Sequence, residues 1–240
     1  MASELAQAHI VSQARLRTLT AAAAATIWQQ LPGYDEEHVD EWLTRVLPII
    51  AAGQRQSVRL TEAFLSRALG RAPLGVQADE IIGAAARAGT DPATVYRRPF
   101  VTVWTALGAG KDWNSAAAAG LARARSTAAT DVQLAMRGTL TAVGEADDLI
   151  VGYARVPDGG ACDFCRLVAG QRYRTDQLMP IHSHCGCGVD VITRQTRGNF
   201  TGNADNDLTV TRDDGLTAAV REHGELGPVL VNGDHDFTQL

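Results

Sequence analysis

Outside residues 162–187 the sequence contains no cysteine, although four lie within that stretch. A disulfide framework spread over the fold is therefore not expected. Aromatic residues are scarce at 5%. No run of ~18 apolar residues occurs, so no membrane-spanning helix is expected. The first residues, Met1-Ala2-Ser3-Glu4-Leu5, lack a basic leader region, so the chain is expected to be made and at first kept in the cytoplasm. Neither G-x-S-x-G nor H-E-x-x-H is present, which removes two common hydrolase signatures. There is no basic excess either: the formal charge is -5, which argues against strong phosphate binding. A chain of 240 residues can bury a substantial core and usually forms one or two domains.

What is present is first of all helical pattern. Over residues 3–31, Leu5, Leu16, Leu19, Ala23, Ile27 and Leu31 recur at helical spacing, and Pro32-Gly33 stops the run. A second helix is expected from about Asp35 to Gly70, with Val46, Ile49, Ile50, Gly53, Leu60, Phe64 and Ala68 on one face and an interruption or kink at Pro48. The two form an antiparallel hairpin, in which the run Ala21 to Ala25 permits close helix contact. Residues 71–111 are punctuated by Pro and Gly into shorter pieces, one starting at Asp91-Pro92 with the aspartate as cap. Phe100, Val103, Trp104 and Leu107 then share a face. A long alanine-rich helix is expected from Asp112 to about Thr141, carrying Arg123, Arg125 and Arg137 as a solvated face or a contact for an anionic partner.

After Gly144 the period changes. Residues 149–156, 171–175 and 188–193 read as three short strands of a small antiparallel sheet. From Asn203 to Leu240 eight acidic residues face only Arg212 and Arg221, a tail composition with one helix expected around 216–223. Asp234-His235-Asp236 reads as solvated charge. The fold class expected is α+β, in three parts: a helical region 1–111, a module 112–196 of one long helix plus a small stapled sheet, and an irregular acidic linker and tail 197–240.

The chemistry is concentrated between Cys162 and Cys187. Cys162-Asp163-Phe164-Cys165 presents two thiolates from one backbone corner, and His182-Ser183-His184-Cys185-Gly186-Cys187 supplies the second half of a tetrahedron. Zinc fits such soft ligands. Six candidates are more than a closed site needs, whereas a catalytic zinc keeps a position open for water. The site therefore reads as a structural staple that offsets what a small sheet cannot bury. Cys162 and Cys165 are the firm pair. On the other side His182 and Cys185 repeat the spacing, Cys187 competes with His182 for the last place, and His184 reads as a solvent-facing spacer. Two local disulfides are the alternative. A thioredoxin-like pair lacks its βαβ setting. A nucleobase deaminase would place His223-Gly224-Glu225 before the cysteines, not after them.

These residues carry a likeness. An Arg123-x-Arg125-x-x-Ala128 element on a long helix, a strand ending Tyr153-Ala154-Arg155, a C-x-x-C followed by Leu167 and Gly170, and a closing H-x-x-C-x-C together resemble the Mu F-like minor head proteins of tailed bacteriophages. The family's closing motif commonly reads His-Pro-Asn-Cys-Arg-Cys. Here His182 takes the place of the family histidine, while the Pro, Asn and Arg positions depart. The likeness covers about residues 112–193.

It implies a low-copy virion component inside the head near the portal, assembled in the host cytoplasm, with the portal or other inner-head proteins as partners. It implies neither a membrane partner nor a small-molecule substrate. No enzymatic activity is expected. The alternatives are a zinc-stapled nucleic-acid binder, touching packaged DNA through Arg123, Arg125, Arg155, Arg172 or Arg174, and a capsid maturation protease or toxin-associated enzyme.

Overall fold

Among the described residues, four α-helices come first and two antiparallel sheets follow. In the computed structural model the chain is described, side chains included, for residues 2–72, 75–161, 165–166, 169–175 and 186–198, with backbone alone for four later strands. The helices are α1 (Glu4–Gln29), α2 (Val39–Leu69), α3 (Pro92–Gly108) and α4 (Trp113–Ala146). They precede the strands β1 (Ile150–Val156), β2 (Arg172–Tyr173) and β3 (Gly188–Thr193). The fold is α+β, mostly helical with a three-stranded antiparallel sheet. The chain forms two compact units, one of Ser12–Glu62 and Gly75–Thr139, the other of Met1–Val11, Ala63–Leu74 and Leu140–Leu240.

In the first unit α1 and α2 run antiparallel, because positions that climb along α1 meet positions that descend along α2. Gln13 Nε2 donates to Ser57 O at 3.1 Å and to Thr61 Oγ1 at 3.0 Å. Thr20 packs against Gly53, where a methyl group would come within 2.7 Å of Oγ1, and Trp28 meets Trp42 edge-on at 5.2 Å. Ser57 Oγ in turn donates to the carbonyl of Val132 on α4 at 2.9 Å. The inner face of α1 is thus partly polar, and its burial differs from the leucine pattern. Gln13, Thr20, Ala24, Ile27 and Trp28 are buried, whereas Leu19 is 58% exposed.

The interruption expected at Pro48 does not occur: α2 runs through it. Pro48 and Thr44, whose carbonyl loses its donor, are both exposed, so water can satisfy that carbonyl. Asp91 caps α3 by accepting from Thr94 N at 3.2 Å, with Pro92 in the first turn. Phe100 and Val103 are fully buried and pack with Trp28, Trp42, Val46, Tyr96, Ala124 and Ala128 into one core. Two polar anchors fix that core. Trp42 Nε1 donates to Tyr96 O at 2.7 Å, and buried Asp131 accepts from Tyr96 Oη at 2.7 Å and Arg87 Nε at 2.6 Å. Burial raises the Asp131 carboxyl above its ordinary pKa, against the pull of the arginine.

In the second unit the sheet has the order β2-β1-β3. Tyr153 pairs with Tyr173 and with Val191, and its buried hydroxyl donates to Leu140 O at the end of α4 at 2.6 Å. The start of α1 is fastened to β3: Ser3 N and Oγ donate to the Asp190 carboxylate at 2.7 and 2.9 Å, and Ile10 fills the space where a side chain at Gly188 would go. Ser3 Oγ also caps α1, accepting from Ala6 N at 3.1 Å. His9 stacks on Phe64 at 4.5 Å, and Arg71 forms an ion pair with buried Asp147.

The region expected to be an irregular tail contains a meander of four antiparallel strands: β4 (Leu208–Thr211), β5 (Thr217–Glu222), β6 (Pro228–Asn232) and β7 (His235–Asp236). The helix expected at 216–223 is instead β5, which pairs on one side with β4 and on the other with β6. Partners on both edges outweigh the helical preference of Ala218 and Ala219.

Candidate metal centre

Register places the ligand-bearing connections. Val156 at the end of β1 lies opposite Gly188 at the start of β3, so Cys187, which immediately precedes Gly188, sits at the end of the sheet where β1 finishes. The connection that carries the C-x-x-C leaves and returns at that same end. Arg172 of β2 pairs with Ala154, Arg155 N donates to Gln171 O at 2.7 Å, and Gly170 N donates to Arg155 O at 2.8 Å. Gly170 has φ +76°, a left-handed conformation that disfavours any side chain, which gives the glycine at this position a structural reason.

The turn after β1 is built around Asp158. Its Oδ1 accepts from Gly160 N at 3.1 Å and its carbonyl from Ala161 N at 3.1 Å. The same carboxylate lies against Gly186, so that a methyl group there would overlap Oδ2. The turn leading into the first cysteine pair and the residue between the last two cysteines are therefore in contact.

Of the five metal ligands expected from sequence, Cys165 and Cys187 are described, at 1% and 0% exposure. Cys162, His182 and Cys185 lie outside the described residues, as does His184. His223, Gly224 and Glu225 also lie outside the described residues. The donor chemistry of the two described residues is of the kind zinc takes: both thiols are withdrawn from water, and Cys187 sits at the end of the sheet where the connection after β1 leaves and returns. Buried thiols without a metal would serve merely as small apolar side chains.

Among the described residues a different group, Asp35, Glu37 and His38, also brings cation-binding atoms within 4.8 Å of one another. No motif in the sequence singles it out. Both carboxylates are exposed and His38 Nδ1 is already bonded to Asp35, as befits ordinary surface charge.

The arginines named as DNA contacts separate by exposure. Arg123 and Arg125 are exposed on α4, and Arg172 is exposed with a guanidinium nitrogen 3.3 Å from Arg197 O. Arg155, on the central strand, is 1% exposed and is not available to a phosphate. Among the described residues no helix is long and apolar enough to cross a membrane.

A family model described as "VG15 protein" matches residues 82–208, just over half of the chain. That stretch takes in α3, α4, the three-stranded sheet and both cysteine clusters. No curated protein and no solved structure matches the chain. On the extent of the family match, the chain belongs to the VG15 protein family, a phage or viral protein family.

Proposed function

We propose that this protein is a phage minor head protein of the Mu F-like kind: a structural component held inside the head near the portal, acting in head assembly or DNA delivery. The observation that carries the reading is the viral family match over residues 82–208, which contains the helix, strand and cysteine elements on which the Mu F-like likeness rests. The closing motif departs from the Mu F-like pattern at Gly186, where Arg is common. Asp158 occupies the space a side chain would need there, so the departure has a local cause.

In this reading the cysteine module holds one structural zinc. Cys162, Cys165 and Cys185 supply thiolates, and His182 or Cys187 completes four places. When bound, the metal would crosslink two connections that the small sheet alone holds weakly. With four protein ligands no water is held for activation, so the protein acts without catalysis. The portal and neighbouring inner-head proteins are its partners, and Arg123 and Arg125 remain exposed for contact with packaged DNA.

The test uses the full-length chain, because Trp28 and Trp42 lie in the helical core and deleting the N-terminal helices would unfold it. Mass spectrometry of purified virions should find the protein at low copy number, and the portal protein should retain it in a pull-down. Absence from virions together with no portal binding would sink the reading.

A further inference from the structure

The residue between the last two cysteines and the turn before the first two touch through one side chain. Asp158 uses Oδ1 to accept from Gly160 N at 3.1 Å, which shapes the turn leading into the C-x-x-C. Its Oδ2 lies against Gly186, in space that any β-carbon at that position would enter. The contact joins sequence positions far apart, and each is next to a candidate ligand segment. We propose that Asp158 is a positioning residue for the metal centre, a latch that holds the turn before the first cysteine pair against Gly186, and that Gly186 is required because only glycine leaves room for it. The proposal rests on the zinc reading and adds to it a residue that is not itself among the expected ligands.

The chemistry of metal sites supports the assignment. Ligands must be presented at fixed separation, and the polar groups that orient them typically contribute 10–100-fold in metal affinity. A carboxylate suits the task, because one oxygen can organise its own turn while the other meets the opposing segment. Asparagine keeps the Oδ1 acceptor but replaces the second oxygen with a donor, so Asp158→Asn separates the turn from the latch. Alanine at 186 attacks the same contact from the other side, and removing the carboxylate as well should make room for it.

The experiment measures zinc affinity of the full chain by competition with a chromophoric chelator, and records the cobalt(II) spectrum of the reconstituted protein. Wild type should bind one metal ion. Asp158→Asn and Gly186→Ala should each bind zinc at least about tenfold more weakly. The thiolate-to-cobalt absorption of the loaded fraction should shift, a change that general loss of stability would not produce. The double variant D158G/G186A should recover part of the affinity lost in G186A.

Wild type with one zinc, beside variants that bind within twofold of it and show unchanged cobalt spectra, would overturn the latch and leave the zinc reading standing. Wild type that binds neither metal would overturn both. Should Gly186→Ala fail to fold, Asp158→Asn decides the matter by itself, since it changes one atom and leaves the turn's acceptor in place.

Discussion

His9 is a polar ring held where water does not reach. It is 5% exposed, lies face to face with Phe64 at 4.5 Å, and its burial lowers its pKa from 6.5 to about 4. The neutral ring is therefore the folded form, and the unfolded chain takes up a proton first as pH falls. Stability from this residue is fully present above pH 6.5 and is lost as pH drops toward about 4. The loss should amount to roughly 3 kcal/mol at the acid end. Urea denaturation at pH 7 and at pH 4.5 should show a marked fall in midpoint for wild type and a smaller one for His9→Gln. Equal slopes for both would mean that His9 is not the titrating group. The sequence does not reveal this residue, because a histidine on a mixed helix face looks like any surface polar until its stacking partner on another helix is known.

At the scale of elements, close approach rather than propensity decides what a position tolerates. Gly120 on α4 faces Trp28 and Val103, and a methyl group there would come within 2.6 Å of each and 3.2 Å of Pro99 O. Gly108 at the end of α3 would meet nothing within 4 Å. Gly120→Ala should cost about 1–3 kcal/mol through displaced core side chains. Gly108→Ala should be neutral or stabilise by about 0.4–1 kcal/mol, since the unfolded chain loses freedom. Thermal unfolding of the two variants checks the contrast; similar midpoints would refute it.

The same distinction explains what is legible in the sequence. The helices and the first three strands follow from apolar spacing and turn residues, and Asp91-Pro92 marks its helix start directly. The buried side of α1 is not legible, because Gln13 and Thr20 face inward to Ser57, Thr61 and Gly53, and polar residues carry no hydrophobic signal. The meander after residue 207 escapes sequence reading for a related reason. Ala218 and Ala219 favour helix locally, and only pairing on both edges makes them strand, although Gly233-Asp234, between the paired Asn232 and His235, has the composition of a hairpin turn. The cysteine spacing is legible, but the role of Asp158 is not, since nothing in its surroundings in the chain points to Gly186.

For the whole molecule, the partition of the chain determines how far loss of the proposed zinc should spread. The described Cys165 and Cys187 belong to the unit of Met1–Val11, Ala63–Leu74 and Leu140–Leu240, while the aromatic core around Trp28, Trp42 and Phe100 belongs to the other. Removal of the proposed zinc, by chelation or by Cys165→Ser, should therefore loosen β1 and β3 first. The start of α1 should follow, because Ser3 is bonded to Asp190 on β3 and Ile10 packs over Gly188. Hydrogen exchange reads this outcome directly. Amides of residues 150–156, 188–193 and 3–10 should lose protection, whereas those of residues 95–103, buried with Trp42 and Tyr96, should keep it. Coincident loss of protection in all these segments would show that the metal supports the entire fold as one cooperative unit. Full protection everywhere after chelation, with the metal demonstrably gone, would show that the staple is dispensable to the sheet.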